Sequence, residues 1–199
     1  MSDTSFPAPQ ALRATVDRGF ELHETGDLDA TLAHYDGVLA AAPTAGDPVT
    51  VESLFAARFD RAVVLTELGE LEAAADAFAT AARGLPAGDP DVAHEIAMAE
   101  LNRGICLQLL DRHDEALTVY AAIVGRFPDA EDDPVLHEQV VKAMVNRAAT
   151  LEVLGRRREA AGAVDDVLGH LADVADLWVD EQRALLRGIR DRALAPSEG

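Results

Sequence analysis

Residues Asn102 to Pro128 have the sequence NRGICLQLLDRHDEALTVYAAIVGRFP. This segment predicts a helix, a tight turn at Asp111 and a second helix. Its characteristic positions recur four times along the 199-residue chain, at a spacing of 42 to 44 residues. A period of that length is typical of stacked helical hairpins, which hold other molecules on their surfaces. The spacing does not indicate which molecule is held.

Each repeat starts from a small residue that follows Arg, with Asp or Asn before it. The four occurrences are Asp17-Arg18-Gly19, Asp60-Arg61-Ala62, Asn102-Arg103-Gly104 and Asn146-Arg147-Ala148. Twelve residues later come Thr31, Ala74, Ala116 and Ala160; four residues after those come Tyr35, Phe78, Tyr120 and Val164. Three repeats then reach Pro43, Pro86 and Pro128, and Ala172 interrupts the series. The steps of 43, 42 and 44 residues contain no internal gap, so chance is a poor explanation.

These positions resemble the tetratricopeptide repeat (TPR), in which a small residue of the first helix is followed by Ala-x-x-x-Phe and then Pro. Small residues such as Gly104 and Ala116 are expected where helices cross closely, and Pro ends the second helix. The basic repeat has 34 residues, so each linker here carries eight to ten more. Asp-Pro pairs at 47–48, 89–90 and 133–134 predict that the surplus lengthens the first helix to about twenty residues. The longer period resembles kinesin light chains and bacterial peptide-sensing and scaffold proteins.

The resemblance implies an all-α fold, a right-handed α-solenoid of four TPR-like hairpins with a C-terminal capping helix. The expected repeats are 10–46, 47–88, 89–132 and 133–172, with residues 1–9 and 196–199 disordered. A helix over 173–195 repeats the first-helix pattern a fifth time without a second helix to pair with, and it is predicted to cover the last hairpin through Trp178, Leu185 and Ile189. Its Arg183, Arg190 and Arg192 are expected in solvent. A HEAT or armadillo array has a similar period without the paired positions, and it remains an alternative, as does a four-helix bundle.

The charge balance is strongly acidic. Thirty-six acids face seventeen bases, for a formal net charge of −19. Such a balance argues against nucleic acid and anionic membranes as partners and permits a basic one. A solvated acidic surface explains the same numbers. There is no apolar run near the ~18 residues of a membrane span and no signal-peptide pattern, and the single Cys106 lies between apolar neighbours. We therefore expect a cytoplasmic protein with a packed, reduced thiol.

No arrangement of residues predicts catalysis, a metal site or a cofactor. The six histidines occupy different repeat positions, and the acidic segment 129–133 lacks the ligand spacing of a calcium loop. A phosphate-binding glycine loop and a nucleophile elbow are also missing from the sequence. The sequence indicates a protein that is not an enzyme.

The resemblance implies that the first helices line a concave face, with three positions around each repeat Arg pointing partly into it. The candidate partner-binding residues are Val16, Asp17 and Phe20; Phe59, Asp60 and Val63; Leu101, Asn102 and Ile105; Val145, Asn146 and Ala149. Family members use the Asn to hydrogen-bond a bound peptide's backbone, whereas the Asp of the first two repeats favours donors or cations. The alternative is that the apolar members are simply core.

Arg18, Arg61, Arg103 and Arg147 stand where the family usually has Leu. A ladder of structural ion pairs is the expected meaning, and an anion site is the alternative. Three functions are left open. The chain is a scaffold or adaptor that binds a peptide or helix of a partner, with basic residues, in its concave groove. Otherwise it is a ligand- or peptide-sensing regulatory subunit, or a structural subunit that forms homo-oligomers.

Overall fold

The computed structural model describes residues 9–42, 47–171 and 177–195, with side chains from residue 180 onward in the last segment. Within these ranges the chain forms α-helices and two 3₁₀ turns, and no strand. The nine helices are α1 Pro9–Glu24, α2 Leu28–Ala41, α3 Pro48–Glu67, α4 Leu71–Arg83, α5 Ala93–Leu109, α6 His113–Arg126, α7 Pro134–Val153, α8 Arg157–His170 and α9 Leu177–Leu194. The predicted all-α fold is confirmed. Disorder was predicted for residues 1–9 and 196–199; Pro9 is the first residue of α1, and 1–8 and 196–199 lie outside the described residues.

The predicted helix starts are present, with one variation. Asp47 and Asp133 cap α3 and α7 by accepting hydrogen bonds from backbone N–H groups of the first turn, and both helices have 20 residues. Asp89 accepts from the N–H of Asp91 in the same way. However, it starts a 3₁₀ turn, Pro90–Val92, so α5 begins only at Ala93. The extra linker residues are therefore part of the α-helix in α3 and α7, whereas before α5 they form a separate 3₁₀ turn.

The turns between paired helices all place one residue in the left-handed region. The φ angles are +79° at Gly26, +79° at Gly69, +69° at Gly155 and +58° at Asp111. This conformation ends a helix by turning its last carbonyls toward following N–H groups, and glycine adopts it without steric cost. Among the described residues, Asp111 is the only one other than glycine with positive φ. A residue of this kind thus separates the two helices of each hairpin, and the turn predicted at Asp111 is confirmed.

The predicted close-packing positions are all buried. Thr31, Ala74, Ala116 and Ala160 each have 0% of their surface exposed. The aromatic residues four positions later, Tyr35, Phe78 and Tyr120, are also buried, as is Val164. A small side chain followed one turn later by a large one allows two helices to approach closely and fills the remaining space.

The helices form two compact units, residues 1–106 and 107–199. In the first unit one apolar cluster joins α1, α2 and α3 through residues such as Leu12, Tyr35 and Leu54. A second cluster joins α3, α4 and α5, and it includes Phe78 and Cys106. Cys106 is therefore packed as predicted, and burial raises the pKa of its thiol.

The second unit contains a buried polar bridge. Gln108 of α5 donates through Nε2 to the hydroxyl of Thr150 on α7, at 2.6 Å. Its Oε1 accepts the hydroxyl hydrogen of Tyr120 on α6. One amide thus satisfies groups on two other helices, and this arrangement favours a single packing of the last residues of α5, 107–109, against α6 and α7.

Helix α9 packs against α8 and α7, but with a register different from the predicted one. Leu186 and Ile189 are buried at 0% and 1% exposure, whereas Leu185 is exposed at 47%. Residues three and four apart share a helical face, so Leu186, Ile189 and Ala193 form the buried stripe and Leu185 cannot join it. The Leu185 prediction was wrong, and the side chain of Trp178 lies outside the described residues.

Two arginine side chains join α9 to α8. The Arg183 guanidinium donates to the backbone carbonyl of Leu171 and pairs with Asp180, so its predicted place in solvent was wrong. Arg157 of α8 donates to the carbonyls of Arg192, at 2.8 Å, and Ala193, at 3.0 Å. These carbonyls lack partners within the helix, and a cation there also interacts favourably with the helix dipole.

Candidate interaction surface

The polar part of the candidate surface is built around Tyr35. Its ring lies directly on Gly19 of α1, where a Cβ atom would come within 2.5 Å of the ring carbons. Its hydroxyl donates to Oδ2 of Asp60 on α3, at 3.2 Å. The missing side chain at Gly19 thus lets a residue of α2 reach the two first helices beside it.

Asp60 is a half-buried carboxylate whose pKa is raised by its burial. The hydrogen bond from Tyr35 and the charge of His23 oppose this rise. The pKa of Tyr35 is itself raised, first by burial and then by the charges of Asp60 and Asp17. Asp17 and Asp60 therefore both act on one hydroxyl. His23 on α1 is also hydrogen-bonded to Glu67 on α3, at 3.0 Å. The region favours a donor or a cation.

The predicted apolar residues divide into two groups. Val16, Leu101 and Val145 are buried, at 5%, 4% and 5% exposure, and belong to the core, as the alternative interpretation supposed. Phe20 is exposed at 56%. The remaining members, Phe59, Val63, Ile105 and Ala149, are half-buried.

Phe59 links this surface to the core. Its ring centroid lies 5.7 Å from that of Phe55 and 5.2 Å from that of Phe78, the latter edge to face. Such contacts fix the orientation of the ring while part of it stays exposed. In the first unit the apolar surface open to a partner thus consists of Phe20 and the outer parts of Phe59, Val63 and Ile105.

The predicted asparagines Asn102 and Asn146 are half-buried and take part in different hydrogen bonds. Asn102 donates through Nδ2 to the carbonyl of Met98 in its own helix, at 2.8 Å. Asn146 lies in the second unit, where its backbone carbonyl accepts the hydroxyl hydrogen of Thr150. Asn102 must therefore exchange an internal hydrogen bond if it is to bind a peptide backbone.

The repeat arginines do not form the expected ladder of ion pairs. Arg61 pairs with Asp36 of α2 at 2.5 Å, and Arg103 pairs with Glu100 of its own helix at 3.1 Å. Arg18 and Arg147 have no ion pair with a carboxylate among the described residues. Of the two pairs, only Arg61–Asp36 joins a repeat arginine to an acid of the preceding helix.

Two features were not anticipated from the sequence. One is the role of Tyr35. The sequence did contain a signal for it, because the first unit has Tyr35 in one repeat where the other has Phe78, and a buried hydroxyl requires a hydrogen-bond partner. The other is an open groove between α2, α3 and α4, with a volume of about 590 Å³. Asp36, Arg61 and Arg58 line it. Its mixed charges have no simple signature in the sequence.

The described residues contain no group of three or more His, Cys, Asp or Glu side chains placed to hold a metal ion. His137 and His170 do line one cavity of about 220 Å³, where His170 is hydrogen-bonded to Glu131 at 3.2 Å. No helix in the described part of the chain is long and apolar enough to span a membrane.

Comparisons with known proteins identify the fold alone. No family model and no curated protein matches the sequence. Two similar solved structures contain nearly identical TPR-like repeats of a Podosopora anserina protein assigned as a kinesin light chain. One, a single-substitution variant, has a TM-score of 0.67 and 15% identity, over 93% of this chain and 85% of that one. The other has a TM-score of 0.63 and 14% identity, over 94% of each chain. The chain thus has a TPR-like repeat fold.

Proposed function

We propose that this protein is a non-enzymatic scaffold or adaptor of the cytoplasm, which binds an extended or helical segment of a protein partner. The binding surface is formed by the first helices of its first unit, α1, α3 and α5. The observation that carries this proposal is the set of half-exposed apolar side chains around Asp60, a carboxylate held between α1 and α3 by Tyr35.

The apolar side chains supply most of the affinity. Phe20 is largely exposed, and Phe59 is partly exposed but held by two aromatic neighbours. A ring that is already oriented loses little conformational entropy on binding, which is a property of binding hot spots. A partner with two or three apolar anchors at helical or extended spacing suits this surface.

The acids select the partner's charge. Asp17 and Asp60 lie near the same hydroxyl, and the whole chain carries a net charge of −19. A lysine or arginine of the partner therefore gains attraction both from the local carboxylates and from the field of the protein. Nucleic acids and anionic membranes are repelled by the same field. These charges mainly set orientation and association rate, so their contribution falls as salt is added.

A random-peptide display library, selected against the full chain, tests the proposal. We expect the enriched peptides to combine apolar residues with Lys or Arg. For such a peptide, Phe59→Ala should raise Kd about tenfold or more, and Asp60→Asn should raise it less. Added salt should reduce only the effect of Asp60. Val135→Ala is the control, because Val135 is an exposed apolar residue in the second unit.

Because Phe59 also packs in the core, Phe20→Ala gives an independent measurement at an exposed site. Circular dichroism must show that each variant is folded. A library without enrichment, or a peptide that all variants bind as tightly as the parent, would refute binding at this surface.

A further inference from the structure

Two positions of the repeat change in character between the two units. The residue five after the repeat's small residue lies at the end of each first helix. In the first unit this residue is acidic and in the second it is apolar: Glu24 and Glu67, then Leu109 and Val153. The residue eight after the small residue precedes each second helix. There an acid gives way to arginine: Asp27 and Glu70, then Arg112 and Arg156.

The apolar residues of the second unit are largely in solvent. The exposed fractions are 60% for Leu109, 68% for Val153, 36% for Leu154 and 63% for Leu194. These are four of the seven large exposed hydrophobic residues in the described part of the chain. Single exposed apolar residues are ordinary, but a group of them indicates an interaction site.

Contacts between the helices place these residues along one edge. Gln108, next to Leu109, is hydrogen-bonded to Thr150, one turn before Val153 and Leu154. At the C-terminal end of α9, Arg157 binds the carbonyl of Ala193, next to Leu194. The ends of α5, α7 and α9 therefore lie side by side. We name the surface formed by Leu109, Val153, Leu154 and Leu194 the turn edge.

Charges of both signs surround the turn edge. Arg112 pairs with Glu115 at 2.6 Å, and Arg156 pairs with Glu159 at 2.6 Å and with Asp114 at 3.3 Å. All these pairs are exposed, so each contributes little to the stability of the chain and can exchange partners at low cost. An apolar centre whose rim carries both arginines and carboxylates can meet its own copy about a two-fold axis with arginines of one copy opposite carboxylates of the other.

The charge of the whole protein limits where a second copy can bind. A chain with a net charge of −19 repels its own copies over most of its surface. In the first unit the matching positions carry Glu24 and Glu67 and would add to that repulsion. The turn edge of the second unit combines exposed apolar area with charges of both signs, so a second copy meets less repulsion there than on a surface of acids alone.

We propose that the turn edge binds the same edge of a second copy of this chain, forming a two-fold symmetric dimer. Leu109 and Val153 pack at its centre, and the ion pairs of Arg112 and Arg156 rearrange across it. This interface is separate from the surface proposed for a peptide partner, so either can fail without the other.

Sedimentation equilibrium of the full chain tests the proposal. The substitutions are taken from the matching positions of the first unit. Leu109→Glu combined with Val153→Glu places at these positions the residue found at Glu24 and Glu67, which the fold accommodates. Val135→Glu is the matched control, because Val135 is 53% exposed at the opposite end of α7.

We expect the parent and the control to sediment as dimers at about 100 μM and the double variant as a monomer, with a dimer Kd raised ~100-fold or more. Leu194→Glu, at the last residue of α9, should weaken the dimer separately, and circular dichroism must show each variant folded. A monomeric parent protein at that concentration, which would assign the edge to another partner, overturns the proposal. So does a double variant that still dimerises, or a control that dissociates with it.

Discussion

Replacing Gly19 by alanine should destabilise the protein, although alanine normally stabilises a helix. Alanine gains about 1 kcal/mol over glycine in a helix interior. Here the added Cβ would lie 2.5 Å from two ring carbons of Tyr35 and 2.8 Å from its hydroxyl oxygen. The ring is completely buried and bonded to Asp60, so it cannot move away freely. Overpacking of this kind costs about 1–3 kcal/mol. We expect a net loss of up to about 2 kcal/mol in the free energy of unfolding.

Gly37 of α2 provides the control, because a Cβ there meets no atom within 4 Å. Gly37→Ala should therefore stabilise the protein by up to about 1 kcal/mol. Urea unfolding followed by circular dichroism measures both variants, and equal m-values show that the same surface is exposed. In a Tyr35→Leu background the cost of Gly19→Ala should fall, since the two side chains are coupled. If Gly19→Ala proves as stable as Gly37→Ala, the close contact between α1 and Tyr35 is absent.

Three other sites give predictions for stability. Burial raises the pKa of Asp60 in the folded protein, so the free energy of unfolding falls as the pH rises from the pKa of Asp60 in the unfolded chain to its pKa in the folded chain. Unfolding curves measured across pH should show Asp60→Asn to be more stable than the parent above this pH interval and not below it. Ala116→Leu should cost about 1–3 kcal/mol at a completely buried site, whereas Thr118→Leu, on the exposed face of α6, should change the free energy of unfolding by only ~0.5 kcal/mol or less. Arg157→Ala should lower the free energy of unfolding by about 1–3 kcal/mol, because it leaves carbonyls of α9 without a charged donor. Amide hydrogen exchange should then be faster in α9 than in α7. Equal exchange in the two helices would count against a role of Arg157 in holding α9.

Local rules were enough to locate the helices. The starts of α3 and α7 depend on an Asp side chain beside its own backbone, and each turn depends on a residue that tolerates positive φ; both effects act within a few residues. The helix starts at Asp47 and Asp133 and the turn at Asp111 were therefore readable in the sequence. The 3₁₀ turn before α5 was missed because a capping Asp and Pro start either kind of helix, and the packing of the helix against its neighbours selects between them.

The candidate surface was less predictable, since exposure depends on neighbours that are distant in sequence. Val16 and Phe20 are four residues apart and therefore share one face of α1, yet Val16 is buried in the core and Phe20 is exposed to solvent. The repeat also gave no reason to expect that Arg61 pairs with Asp36 while Arg18 makes no such pair within the described ranges. Each outcome depends on the side chain that the adjacent helix presents.

The sequence by itself determined the hairpin period, the turns and the close-packing positions, because backbone sterics and residue size act locally and repeat at a fixed interval. It also shows that one repeat position is occupied by an acid, Glu67, in the first unit and by an apolar residue, Val153, in the second. Only the tertiary structure decided that Leu186 rather than Leu185 is buried, and that Tyr35 of α2 is hydrogen-bonded to Asp60 of α3. One residue of rotation turns a side chain by ~100° about a helix axis, and the contacts between helices, not the period, fix that rotation.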